Sequence, residues 1–297
     1  MRVNPNFAPN ILESVWQAQI QEQTALQQIS TGRRVHVPSD DPSAFVGDVQ
    51  NQAAQSRTDQ YLQNTATLEN LFQTADSALS SVVSSLNLAI SLGTQGANGT
   101  LSPEDRQAIA QEVQGVMDQV LQYANTAYHG VYVFAGTASD TPPFVVDATQ
   151  ASGVRYVGNS GVNNVEIAEG RNIQTNIPGS QMFQGLSGAV FANLHELIDA
   201  LQTSDTAAIE SATNGVNGSL NYVSQQRMFY GNQINLLNSN QSALQQEQVN
   251  LKSQENDLVG ADFAKAASDL SQATTAHNAA LAALAKVIPN SLLDYLK

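Results

Sequence analysis

Apolar residues recur at helical spacing at both ends of the chain. Ile11, Val15, Ala18, Ala25 and Ile29 follow alternating steps of four and three, with Glu22 as the one interruption and Leu26 beside the series. Over the last forty residues Phe263, Ala267, Leu270, Thr274, His277, Leu281, Leu284 and Ile288 keep the same steps, and Leu292 and Tyr295 continue them. Each series marks a narrow apolar stripe on an amphipathic helix. A narrow stripe packs helix on helix rather than helix on sheet.

The pattern recurs further in. Leu68, Phe72, Ala75, Leu79, Val82, Leu86 and Ala89 mark a helix that stops in the Gly- and Asn-rich run Gly93 to Gly99. Ser102, followed by Pro103 and with Asp105 three residues on, reads as the cap of a helix carrying Ile109, Val113, Val116, Val120, Ala124 and Ala127. Val223, Tyr230, Leu237, Leu244, Leu251 and Leu258 lie seven apart. That heptad series predicts a helix of roughly 40 residues, about 60 Å long. Its companion positions are weaker, with Arg227, Gln241, Gln248 and Glu255 polar.

From Gly130 to Gly188 the period changes. Short β-branched stretches, Val131 to Phe134, Phe144 to Val146, Val154 to Val157, Val165 to Ala168 and Ile173 to Ile177, are separated by turn signals such as Gly158-Asn159 and Glu169-Gly170. They predict a small antiparallel sheet module. A short helix, Val190 to Leu201, and a cap at Ser204 lead back to the long helix. The expected class is mainly α with a β-rich insertion. Residues 1–40 and 260–297 would be paired terminal helices, 41–129 and 204–259 a helical shaft, and 130–203 a β-rich domain with a short helix.

Composition narrows the functions. Charged residues make up 13% of the chain and the net charge is −14, so there is little electrostatic grip on nucleic-acid phosphates or anionic lipid. Nucleic acid is not an expected partner. The chain has no cysteine, which excludes a disulfide framework, thiolate-bound zinc, an iron–sulfur cluster and a thiol nucleophile. Met1 to Asn6 lacks the charged and apolar regions of a cleaved signal, and the most apolar window, Ala279 to Ile288, contains Lys286. No membrane insertion is expected, and export would need a route other than that signal.

No constellation points to catalysis, a metal or a cofactor. His195-Glu196 lacks the second histidine of a zinc-protease helix, and His36, His129 and His277 fall in unrelated segments. His277 sits at a seam position and reads as a packed residue. Asp41 reads as the cap of a helix opening at Pro42, with Asp40 favouring the same positive end. Arg33-Arg34 would complete a local charge network with these carboxylates. Gly130 and Gly136 flank no phosphate loop, since neither a Lys-Ser/Thr pair nor a helix cap follows. The terminal helices are rich in Gln, Thr and Asn, and an isolated helix of about 20 residues is marginal in water. They are expected to gain order from neighbouring molecules.

Two stretches together resemble a known family. Ile29-Ser30-Thr31-Gly32-Arg33-Arg34-Val35, followed by Pro38-Ser39-Asp40-Asp41-Pro42-Ser43-Ala44, resembles the N-terminal signature of the bacterial flagellins. Ala261-Asp262-Phe263-Ala264 followed by Leu270-Ser271 resembles the acidic-aromatic opening of their last helix. The run from Ala124 to Thr137, Pro142-Pro143-Phe144 and the ending Ser291 to Leu296 resemble the branch that joins hook to filament rather than filament flagellin.

The resemblance implies a subunit whose terminal helices pair into an inner coiled-coil tube, with an outer helical shaft and a projecting β-rich domain. It implies a ring of identical subunits between a FlgK-type hook-associated protein and flagellin. It also implies a FlgN-type chaperone and passage through the flagellar type III export apparatus. The location would be extracellular, at the hook-filament junction, and cytoplasmic before export. On that reading Ile11, Val15, Leu26, Ile29, Phe263, Leu270, Leu281, Leu284, Ile288, Leu292 and Tyr295 form the assembly seam. Gly32, Arg33, Arg34, Ser39, Asp40, Asp41 and Pro42 are the family motif. A minor filament flagellin, or a surface-exposed adhesion module in the β-rich middle, are the alternatives.

Overall fold

The structure is a computed structural model. It describes residues 7–185 and 189–295, with side chains described over 12–185 and 189–285. Seven helices, α1 (Phe7–Thr31), α2 (Pro42–Gly96), α3 (Pro103–Ala124), α4 (Gly179–Gln184), α5 (Val190–Thr203), α6 (Thr206–Val259) and α7 (Phe263–Tyr295), enclose six short strands in the sequence. The strands are β1 (Ala127–Tyr128), β2 (Val131–Tyr132), β3 (Phe144–Val146), β4 (Val154–Tyr156), β5 (Asn164–Ala168) and β6 (Arg171–Gln174). The chain forms two compact units, Thr58–Gln245 and Met1–Arg57 with Gln246–Lys297. Helices α2 and α6 contribute to both.

In the unit Thr58–Gln245 the heptads dictate the packing. Ile209, Val216, Val223, Tyr230 and Leu237 of α6 are all fully buried, as are Phe72, Leu79 and Leu86 of α2. A repeat of seven keeps one stripe of each helix turned inward. Helix α3 opens as expected: Ser102 Oγ accepts from the Asp105 amide at 3.1 Å and Asp105 Oδ2 from the Ser102 amide at 3.3 Å, a reciprocal cap. The predicted cap at Ser204 is displaced by one residue. Ser204 takes the left-handed conformation that ends α5, and Asp205 caps α6 by accepting from the Ala207 and Ala208 amides. Asp is the stronger cap because its carboxylate also meets the positive helix end.

The β-rich segment is three separate antiparallel ribbons, β1-β2, β3-β4 and β5-β6, rather than one small sheet. Two-stranded ribbons are marginal alone, and these share the helical core. Phe134, Phe144, Ile167, Ile173, Phe183 and Phe191 belong to the same buried cluster as α2, α3, α5 and α6. Two polar anchors from α6 complete the attachment. The Tyr230 hydroxyl accepts from the Ile177 amide at 3.4 Å, and Asn240 Nδ2 donates to the Ile167 carbonyl at 2.8 Å. Burial pushes the Tyr230 phenol well above its ordinary value. Arg227, read as a weak heptad companion, makes a two-point ion pair with Asp76 at 2.6 and 2.9 Å.

An 18-residue stretch of α2 has a mean hydropathy of 1.2, long and apolar enough by composition to cross a membrane. Of that stretch 44% is buried, as in a helix that lines a core.

Candidate assembly surface of the terminal unit

The unit made by Met1–Arg57 and Gln246–Lys297 pairs α1 with α7 within one chain. Val15, Ala18 and Ala25 of α1 and Ala266 and Ala273 of α7 are buried. Leu270, His277 and Leu284 are half-buried. The α7 stripe thus runs Ala266, Leu270, Ala273, His277, Ala280, Leu284, again in steps of four and three. It shares Leu270, His277 and Leu284 with the predicted stripe, Thr274 is also half-buried, and Ala267 is exposed.

Phe263 and Leu281, predicted in the seam, are 58% and 43% exposed, and Leu26 is 49% exposed. Within one chain these three side chains are therefore not enclosed between α1 and α7. Ala18, Ala25, Ala266 and Ala273 are the most deeply buried residues of the contact, with Val15 next. Ile29 is half-buried beside the contact. Of the remaining seam predictions, the side chains of Ile11, Ile288, Leu292 and Tyr295 lie outside the described residues.

Inside the stripe, Glu22 is not a mere interruption. Its Oε2 lies 3.0 Å from Nδ1 of His277, with both side chains about a quarter exposed. Two polar residues at stripe positions on two helices were the available signal for this pair. Outside the stripe the unit displays large apolar groups. Leu12, Trp16 and Ile20 recur four apart on α1 and are 48%, 69% and 60% exposed, forming one continuous ridge. Val46 and Val49 of α2 and Val249 of α6 are exposed as well.

The motif residues build the connection from α1 to α2. Gly32 adopts φ +69, a conformation strained for any side chain, and its carbonyl accepts from the Ala261 amide at 2.9 Å. The Arg34 amide donates to the Val259 carbonyl at 2.6 Å. The two helix connections therefore run side by side as a single antiparallel bridge at Arg33 and Gly260. A Cβ on Gly260 would collide with the Asn256 carbonyl. Asp41 caps α2 as predicted, accepting from the Ala44 amide at 3.1 Å, with Pro42 at the first helical position. Asp40 does not serve that helix end. It accepts from the His36 and Val37 amides at 2.9 and 3.1 Å, closing the turn before it, in which Ser39 is exposed.

The expected charge network forms in part. Arg34 Nη2 reaches Asp41 at 3.2 Å, whereas Arg33 pairs with Asp48 and with Glu255, two carboxylates distant in sequence that spacing could not single out. Hydrogen bonds from His36 and Val37 hold the Asp40 carboxyl below its ordinary 3.8. The Ala44 amide, then Ser43 and Arg34, do the same for Asp41. A carboxyl lowered on folding stabilises in full above its unfolded value, and that contribution is lost as pH falls through the lowered one. The acid limb of the unfolding curve, as pH falls below the ordinary carboxylate value, should therefore flatten in Asp40→Asn/Asp41→Asn. An acid limb unchanged from the parent chain would contradict this.

Among the described residues no cluster of three potential metal ligands exists. Thr58–Gln245 holds four basic residues, Arg106, Arg155, Arg171 and Arg227, against fifteen acidic ones, so most of the net charge of −14 resides there. The terminal unit is close to neutral and presents apolar ridges. Such a division, with no metal-binding cluster among the described residues, is that of a structural protein.

The bacterial flagellin N-terminal helical region matches residues 3–139 and the bacterial flagellin C-terminal helical region matches residues 213–296. The chain belongs to the bacterial flagellin family. Within it, the chain is 32% identical over 266 residues to flagellar hook-associated protein 3 of Escherichia coli K12, covering 80% of this chain and 81% of that one. It is 31% identical to flagellar hook-associated protein 3 of Salmonella typhimurium over 261 residues, with the same coverage. The fold is also similar to that of FlgL from Bacillus cereus, with a TM-score of 0.61 and 22% identity over 70% of this chain and 99% of that one.

Proposed function

We propose that this chain is a structural subunit of the bacterial flagellum, of the hook-associated protein 3 type. It forms the junction ring between a FlgK-type protein on the hook side and flagellin on the filament side. The observation that carries the reading is the similarity to hook-associated protein 3 along four-fifths of both chains. The apolar ridge Leu12, Trp16, Ile20 and the exposed Leu26, Phe263 and Leu281 supply the contact surface with neighbouring subunits. Burying such side chains contributes roughly 25 cal/mol per Å², and a central tryptophan is a typical anchor of an interface. Before assembly the same surface suits a FlgN-type chaperone and passage through the flagellar type III apparatus. The finished ring is extracellular, and neither an enzyme activity nor a membrane-inserted state belongs to this reading.

Location tests it directly. The chain has no cysteine, so Val146→Cys, at a site 73% exposed, accepts a single thiol-reactive dye. One spot at the hook-filament boundary of each flagellum is the expected result. Dye along the whole filament would replace this reading by that of a minor filament flagellin.

A further inference from the structure

The crossing between the helix connections has a small apolar core and a dense polar one. Val35, Ala44 and Val259 are the buried apolar residues there, with Phe45 and Leu258 packed beside them. Across the α2–α6 contact of the same unit, Asn51 Nδ2 donates to the Leu251 carbonyl at 2.9 Å and Gln55 Nε2 to Glu255 at 3.0 Å. Arg33 lies between the two helices, with Nη2 on Asp48 Oδ2 and Nη1 on Glu255 Oε1 at 3.2 Å. The Asp48 side chain is only 4% exposed. Its Oδ2 also accepts from Gln52 at 2.9 Å, and its Oδ1 is buried with no hydrogen-bond partner.

A carboxylate in this position needs a cation. Its buried Oδ1 meets no protein donor, and Arg33 is the cation beside it, so the charge relies on Arg33 for compensation. The Arg33 backbone is also the residue paired with Gly260 in the bridge between the two connections. We infer that Arg33 is an electrostatic latch, in which its guanidinium neutralises buried Asp48 and thereby holds the α1–α2 connection against the α6–α7 connection. Both terminal helices leave from this crossing, so opening the latch frees them together. The inference does not depend on which position in the flagellum the chain takes.

Hydrogen exchange on the full chain tests it at residues 32–41 and 256–262, which contain the Arg34 and Ala261 amides. In the wild type these segments should exchange slowly, and in Arg33→Gln at least tenfold faster, with 209–244 unchanged in both. Adding Asp48→Asn to Arg33→Gln should restore most of the protection, because it removes the charge that Arg33 was compensating. A cation that merely packed against its neighbours would show no such rescue. Fast exchange of the crossing in the wild type, no effect of Arg33→Gln, loss of protection at 209–244 as well, or failure of Asp48→Asn to rescue would each overturn the latch.

Discussion

Trp16→Asp and Leu281→Asp should each give a chain that folds like the wild type and fails to enter flagella. Both side chains stand largely outside the contact between α1 and α7, so a carboxylate there stays solvated in the free chain and costs little. On assembly the same carboxylate would be buried without a partner, a cost of several kcal/mol that no rim contact offsets. Loss of a central tryptophan alone costs about 2 kcal/mol or more at an interface, roughly 30-fold in affinity. Circular dichroism and thermal melting should match the parent chain, while the fraction recovered in intact flagella should fall at least 30-fold. Trp16 is the sole tryptophan, so its fluorescence offers a second reading. Emission should shift to the blue when wild-type subunits assemble. Normal incorporation of both variants would remove the exposed ridge from the assembly surface.

Tyr230→Ala should unfold the unit Thr58–Gln245 more readily than any surface change. The ring is fully buried, stands edge-on to Phe72 with centroids 5.8 Å apart, and its hydroxyl holds the Ile177 amide. Truncating a buried aromatic costs about 3–5 kcal/mol. Tyr230→Phe keeps the ring and removes only the acceptor for a buried amide, which costs about 1–3 kcal/mol. Chemical denaturation of the two variants separates the contributions. A loss in Tyr230→Ala no larger than in Tyr230→Phe would mean that the cavity collapses and that packing at this heptad position is loose.

The helical plan could be read from the sequence because large apolar residues recur at fixed steps. The α6 heptad was found from Val223 to Leu258 and continues back through Val216 and Ile209, which gives 54 residues instead of roughly 40. The lower half of α2 was not joined to its upper half. Its inward positions there are Ala44, Asn51, Thr58 and Thr65, all buried, and three of the four are polar. A hydrophobic count cannot register a stripe made of amides and hydroxyls. On α7 the stripe that meets α1 shares Leu270, His277 and Leu284 with the one read from the sequence and adds Ala266, Ala273 and Ala280, small residues whose inward position spacing alone does not single out. The family motif was legible as a pattern, and Asp41 with Pro42 as a cap. Asp48 and Glu255 were not, because only the fold brings them to Arg33.

The stripe of α2 also changes character along its length, from Asn51, Thr58 and Thr65 to Phe72, Leu79 and Leu86. Among its described residues the terminal unit buries no aromatic ring and nothing larger than Leu251. Local opening free energy follows buried apolar contact. Force applied at either end of the chain would therefore meet the softer unit first and the firm one last. The gradient written into a single helix gives the subunit an order in which it comes apart, and, run backwards, an order in which it is put together.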